Sequence, residues 1–272
     1  MNLKFTKMQA TGNDYIFANL FDAGDFKIFN ETNWSQMAIR LSDRHFGIGS
    51  DGLILICPSD VADCRMRMFN ADGSEGAMCG NGIRCLGKYI YERGLIKKRI
   101  ICVETKSGIR TLYLDIEDEI YVKSIRVDMG VPVLSSSLEI GSFFVTPVSM
   151  GNPHAVCFVP NSPSEYPVEK WGPFLECHPQ LEERSNVEFV QVVSHNKIRL
   201  RIWERGSKET LSCGTGACAA AVCAIQQKGM EKKVLAEVPG GTLTINWNGN
   251  GETVFLSGPA EFICDAFISI HG

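Results

Sequence analysis

No stretch of this 272-residue chain is apolar for long enough to cross a bilayer. The longest run, Ala217 to Ile225, falls well short of the ~20 residues that a spanning helix needs. The first residues, MNLKFTKMQATGNDY, hold no apolar core of signal-peptide length, so a cytoplasmic protein without membrane contact is expected. There is no cationic surplus either: the formal net charge is −4, which gives no electrostatic reason to expect a nucleic-acid partner. Basic clusters such as Lys97-Lys98-Arg99 and Lys232-Lys233 read as solvated surface. A G-x-G-x-x-G turn after a strand and a Walker-type loop are both missing, so no nucleotide site is expected. Cysteine is plentiful, but its spacings (79/85 and 213/218/223) do not resemble paired zinc ligands backed by histidines, and no metal is expected.

What is present is an internal repeat. Around Cys79 the chain reads FNADGSEGAMCGNGIRC, and around Cys213 it reads WERGSKETLSCGTGAC. With the cysteines in register, an aromatic residue (Phe69, Trp203), a glutamate (Glu75, Glu209) and the Cys-Gly-x-Gly core all coincide. A second echo follows each cysteine, in VETKSG from Val103 and AEVPGG from Ala236. A third precedes both, in Gly12-Asn13-Asp14-Tyr15 and Gly151-Asn152-Pro153-His154. Three echoes in the same order at nearly constant separation point to duplication.

Each half reads as strands around one helix. Leu53–Ile56, Ile100–Val103, Gly108–Asp115 and Ile120–Val127 carry strand-like β-branched content in the first half. Phe143–Val148, Ala155–Val159, Val187–Val193, Lys197–Trp203, Thr242–Trp247 and Thr253–Ser257 do so in the second. The helix after Cys79 is expected to stop at Gly94, and the one after Cys213 at Gly229, as glycine C-caps do. The body of the latter, ACAAAVCAI, is apolar all round and reads as a helix buried on every side. The expected fold is therefore mixed α/β (α+β): two pseudo-symmetric halves, each a curved, mainly antiparallel sheet wrapped around a central helix. The halves divide into 1–124, carrying Cys79, and 125–261, carrying Cys213. The C-terminal strand 262–272 is free to complete the first.

Eleven cysteines are an odd number spread along the chain, so they read as thiols rather than a disulfide framework. Cys85, Cys102, Cys157, Cys218, Cys223 and Cys264 fall in apolar patterns and read as core, while Cys57, Cys64 and Cys177 fall near expected loops. Cys79 and Cys213 differ, because each precedes a helix and is followed by Gly-x-Gly. The first turn of a helix leaves N–H groups without acceptors and carries roughly half a positive charge. A thiol there is expected to have a lowered pKa. The same N–H groups suit a substrate carboxylate, with glycines allowing close approach. Two such sites facing one α-carbon would invert it, one thiolate removing a proton from one face and one thiol delivering a proton to the other.

ADGSEGAMCGNGIRC, MGNPHAV, ERGSKETLSCGTGACAAAV, VPGGTLTINW and LSGPAEF, together with TGNDY and LSDRHFGIGSDGL, resemble the diaminopimelate epimerases among the pyridoxal-independent amino-acid racemases. The resemblance implies Cys79 and Cys213 as the acid/base pair, supported by His154 and Glu204. It implies Asn13, Asn70, Asn152, Asn186, Glu204 and Arg205 as substrate-binding residues. Gly80 with Asn81, and Gly214 with Thr215, would supply the N–H groups that take the α-carboxylate. It further implies an amino-acid substrate, no cofactor and, as in several members, a homodimer. The alternatives are a proline or hydroxyproline racemase of the same fold, or a non-catalytic redox or metal-binding protein. Two positions depart from the family pattern: Gly52, where many members have glutamine, and Lys208, where glycine is usual.

Overall fold

The computed structural model describes residues 2–21, 32–181 and 184–269. In chain order the first elements are β1 (Asn2–Ala10), β2 (Asn13–Asn19), α1 (Trp34–Ser42), β3 (Gly52–Cys57), β4 (Cys64–Asn70), β5 (Glu75–Gly76), α2 (Gly80–Glu92), β6 (Ile100–Thr105), β7 (Gly108–Glu117) and β8 (Tyr121–Asp128). There follow β9 (Val133–Leu134), β10 (Leu138–Ile140), β11 (Phe143–Ser149), β12 (Pro153–Phe158), α3 (Val168–Glu176), β13 (Asn186–Ser194), β14 (Lys197–Glu204) and β15 (Lys208–Thr210). The chain ends with α4 (Gly214–Lys228), β16 (Lys233–Val238), β17 (Gly241–Asn246), β18 (Phe255–Gly258) and β19 (Glu261–Ser269).

These elements form two compact units, Met1–Val127 with Pro259–Gly272, and Asp128–Gly258. Of the C-terminal segment 262–272, residues 270–272 lie outside the described ones.

In the first unit β1 pairs antiparallel with β19 and with β2, β2 runs parallel to β3, and β3 runs antiparallel to β4. Next, β4 runs parallel to β6, and the meander β6–β7–β8 is antiparallel. The second unit repeats the order: β11 antiparallel to β12, β12 parallel to β13, β13 antiparallel to β14, β14 parallel to β16, then an antiparallel meander β16–β17–β18. The short strands β5 and β15 return on β4 and β14 with matching partners, Phe69 opposite Glu75 and Trp203 opposite Glu209. The repeated glutamate is clamped by an arginine in each case, Arg67 Nε to Glu75 at 2.7 Å and Arg201 Nε to Glu209 at 2.5 Å. The sequence repeat is thus a repeat of the sheet's pairing order.

Helix α2 is buried from Gly80 to Tyr91 and packs on β1, β2, β7 and β19. Helix α4, alanine- and cysteine-rich, packs on β11–β14 and β16–β18. Its small side chains let seven strands close on it, while the glycine cap Gly229 is left-handed (φ 64°).

Several elements depart from the sequence expectation. Among the described residues the units hold two further α-helices, α1 and α3. Helix α1 is short, starting at an Asn33 cap that accepts from Gln36 N–H. Helix α3 has Pro167 at its cap and Pro173 inside, which reads as loop. Strands β1 and β4 were not expected, because lysine, arginine and methionine interrupt their β-branched content, and neither were β2 and β16; β19 forms the expected C-terminal strand and pairs with β1 in the first unit. Cys57 and Cys64 sit buried in strands β3 and β4 rather than in loops, and Cys264, expected in the core, is exposed on β19.

Candidate active site

Both motif cysteines are helix N-caps. Cys79 is extended (φ −125°, ψ 122°) before α2, and Cys213 is extended (φ −122°, ψ 117°) before α4. Ile83 N–H and Ala217 N–H close the first turns on the two cysteine carbonyls, each at 2.9 Å. The second glycine of each motif makes room for packing. A Cβ on Gly82 would lie 2.5 Å from Ile54 Cδ1, and one on Gly216 would lie 2.6 Å from Glu188 Oε1. Only glycine lets these helix starts approach β3 and β13 so closely.

In the first unit the β1–β2 hairpin delivers the groups around Cys79. Ala10 pairs with Asn13 across a two-residue turn in which Thr11 (φ 50°) and Gly12 (φ 84°) are both left-handed. The strained threonine is tied down, its Oγ1 accepting from Arg84 Nη2 (3.2 Å) and donating to Asn81 Oδ1 (3.4 Å). Arg84 is fully buried and also donates to Gly80 O at 3.1 Å, so the turn and the helix start are locked together. Asn13 Oδ1 then lies 3.5 Å from Cys79 Sγ and accepts from Asn81 Nδ2 at 3.4 Å. Its amide donates to Asp51 Oδ2 at 2.6 Å. The sulfur also accepts from Gly82 N–H (3.4 Å) and from the Tyr15 hydroxyl (3.3 Å). Burial pushes the Asp51 carboxyl up, whereas hydrogen bonds from Arg44 and Lys7 outweigh burial and hold Asp14 down. Asn70 stands apart from this cluster, its amide donating to Ser74 Oγ at 2.9 Å.

In the second unit the equivalent hairpin turns at Gly151 (φ 90°) and presents Asn152 and His154. Cys213 is buried, with Thr215 Oγ1 3.5 Å from its sulfur. Asn152 Nδ2 donates to that hydroxyl at 3.3 Å, and Asn152 Oδ1 lies 3.1 Å from His154 Nε2. His154 therefore reaches Cys213 through Asn152 and Thr215. Glu204 acts on the Cys213 thiol through its charge and is itself held by the Thr210 hydroxyl. Asn186 bridges Pro153 O (3.0 Å) and Arg205 N–H (2.9 Å), and the exposed Arg205 side chain donates to Arg184 O at 3.2 Å.

The lowered thiol pKa expected at a helix start does not hold for Cys213. Burial pushes it well above the usual thiol range, and the Glu204 carboxylate adds to the effect. Burial likewise raises Glu204. Desolvation of an anion beside a second anion outweighs a helix dipole.

Sequence reasoning missed Tyr15, Thr11, Arg84 and Asp51 in the first unit and Glu188 in the second. For Glu188 a signal existed, a lone charge within the apolar strand Val187–Val190. Among the described residues no three His, Cys, Asp or Glu side chains cluster as metal ligands, and no helix is long and apolar enough to cross a membrane.

The family model for diaminopimelate epimerase matches residues 5–135 and 146–263. The chain belongs to the diaminopimelate epimerase family. It is an isomerase. It is 46% identical to the diaminopimelate epimerase of Acetivibrio thermocellus across 99% of each chain. It is 43% identical to that of Methanococcus maripaludis across 98% of this chain and 100% of the other. Among solved structures, a PhzF-family phenazine biosynthesis protein from Bacillus anthracis superposes with TM-score 0.73 at 17% identity, over 99% and 100% of the two chains. A hydroxyproline epimerase from Agrobacterium vitis gives 0.70 at 15% identity, over 98% and 91%. These two share the fold. The mixed α+β architecture with few helices is the one expected from the sequence.

Proposed function

We propose that the chain interconverts LL- and meso-2,6-diaminopimelate by proton transfer between two cysteines, in lysine and, in bacteria, peptidoglycan synthesis. The supporting observation is a family match spanning nearly the whole chain with both motif cysteines present as helix caps. In this reading one cysteine, as thiolate, removes the α-proton and becomes a thiol. The other, as thiol, gives its proton to the opposite face of the carbanion and becomes the thiolate. The N–H groups of Gly80 and Asn81, and of Gly214 and Thr215, take the α-carboxylate, on which negative charge grows as the proton leaves. Glu204 holds the Cys213 proton, and His154 orients Asn152.

The far end of the substrate is a second ammonium and carboxylate. Neutral amides (Asn13, Asn70, Asn152, Asn186), the Glu204 carboxylate and the Arg205 guanidinium form the donor and acceptor set that reads them. We expect the enzyme to act as a cytoplasmic homodimer on this small molecule, without a cofactor; light scattering on the purified protein checks the oligomer. The substrate is tested by separate incubation with LL-diaminopimelate, L-proline and trans-4-hydroxy-L-proline, each followed by chiral chromatography. Inversion of diaminopimelate alone is the expected result. Inversion of either proline without diaminopimelate overturns the reading.

A further inference from the structure

The internal repeat sets Tyr15 opposite His154, since Gly12-Asn13-Asp14-Tyr15 matches Gly151-Asn152-Pro153-His154. The sheet register agrees. Tyr15 pairs with Gly52 across the parallel β2–β3 ladder, as His154 pairs with Asn186 across β12–β13. Two residues further on, Ile54 occupies the place of Glu188. The match extends to the helix starts, where Gly82 abuts Ile54 and Gly216 abuts Glu188. In the second unit the ring at this position spends its inner nitrogen on a carboxylate, His154 Nδ1 lying 2.7 Å from Glu188 Oε1. In the first unit isoleucine offers no acceptor, and the Tyr15 hydroxyl lies 3.3 Å from Cys79 Sγ instead.

Gly52 admits the ring. A Cβ there would lie 3.1 Å from Tyr15 Cε1 and 2.2 Å from Phe69 O. The departure at Gly52 thus has a local consequence: the backbone carries no side chain where the edge of the Tyr15 ring and the Phe69 carbonyl come close.

We infer that Tyr15 is a hydrogen-bond donor to the Cys79 thiolate, and that it lowers the cost of the charged state Cys79 passes through in each turnover. The groups around the sulfur serve its two protonation states. Asn13 Oδ1, at 3.5 Å, accepts from the protonated thiol and gives nothing to a thiolate. Gly82 N–H, at 3.4 Å, and the Tyr15 O–H donate to the thiolate. A phenol keeps its proton at neutral pH, and its hydroxyl turns freely about the C–O bond to meet the sulfur. The side chain is 5% exposed, so water does not replace the hydroxyl readily once it is removed. Two charged groups are bonded to residues beside the sulfur, Asp51 to Asn13 and Arg84 to Gly80 O, and changing Tyr15 leaves both in place. Helix α2 also carries Cys85, a fully buried thiol pushed up to about 12 by burial.

The inference rests on the two-cysteine reading only for its catalytic consequence; the thiol's own titration is measured without substrate. Tyr15→Phe removes one oxygen and keeps the ring. Alkylation of Cys79 by iodoacetamide is followed against pH by peptide mapping, which separates it from the exposed Cys177 and Cys264. The midpoint for Cys79 should rise by about one unit in the variant, as expected for losing one bond to a charged group. Cys213 should be unmoved. The value of kcat/KM should fall about tenfold, mostly in kcat. With 3-fluorotyrosine at position 15 the more acidic hydroxyl donates more strongly, and the Cys79 midpoint should move down. This second arm reports even if Tyr15→Phe folds poorly. A Cys79 midpoint unchanged in the folded Tyr15→Phe protein, or unchanged with fluorotyrosine, overturns the inference. Shifted midpoints in a protein that inverts no diaminopimelate would sustain it and overturn the substrate assignment instead.

Discussion

His154 and Glu188 form a fully buried pair, Nδ1 to Oε1 at 2.7 Å, beneath the first turn of α4. The outer nitrogen faces Asn152 Oδ1 at 3.1 Å, and Asn152 in turn fixes Thr215 beside Cys213. Among the described residues Glu188 Oε2 has no hydrogen-bond partner, and His154 is the side chain that hydrogen-bonds this carboxylate. Removing one member of such a pair leaves the other uncompensated. Glu188→Ala should therefore lower the unfolding free energy by about 3–5 kcal/mol, read from urea denaturation. A loss below about 1 kcal/mol would show that water or rearrangement compensates His154.

Each face of the substrate carbon needs its own proton carrier. Cys79→Ala and Cys213→Ala should each lower kcat by at least about 10²–10⁴, the range for general acid–base groups. Cys218, buried inside α4 one turn beyond the cap, is the control, and Cys218→Ala should leave kcat within a few-fold. Near-parental turnover by either of the first two variants would end the two-cysteine mechanism.

The environment of Cys213 makes a pH signature. Burial first, and the Glu204 carboxylate second, hold its thiol protonated well above the ordinary range. Alkylation of Cys213 should be slow at neutral pH and accelerate only in strongly alkaline buffer. Glu204→Gln replaces an anion with a neutral amide, and less charge opposing the thiolate means a lower thiol pKa. The alkylation profile should therefore shift towards lower pH, while kcat falls because the proton-holding carboxyl is gone. A shift in the other direction would mean that Glu204 acts on Cys213 through packing rather than charge.

Arg205 is tested as the reader of the distal carboxylate. Arg205→Ala should raise KM for diaminopimelate at least tenfold and leave alkylation of both cysteines unchanged. Arg205→Lys should restore part of the loss, since an ammonium does not reproduce the two-pronged guanidinium contact. Unaltered KM in the alanine variant would remove Arg205 from the substrate site.

Lys208 carries strain. Its φ of 63° is left-handed, and it opens β15 opposite Glu204. Lys208→Gly should stabilise the protein by about 1 kcal/mol, the cost of a side chain in that conformation, measured by chemical denaturation. No gain in stability would place the strain elsewhere in the Glu204–Thr210 turn.

The two cysteine motifs, their helices and the repeat were legible in the sequence because each is a local pattern. A cap, a glycine pair and an apolar helix body lie within one short window, and their recurrence makes the duplication visible. Helix α3 was hidden because its two prolines argue for loop, and packing of Gly172 directly on Trp203 overrides them. Contacts that cross the sequence were not legible. Tyr15 meets Cys79 from 64 residues away, and His154 meets Glu188 from 34. Which of them touch is decided by strand register, and a one-residue slip would send every side chain to the other face. Electrostatics was decided at the same level. Both cysteines have the helix start that should stabilise a thiolate, and the sequence treats them alike. Only folding buries Cys213 beside Glu204 and sets Tyr15 against Cys79, so two copies of one motif become two unlike thiols. The cost of a charge depends on what solvates it, and that is a property of the packed structure.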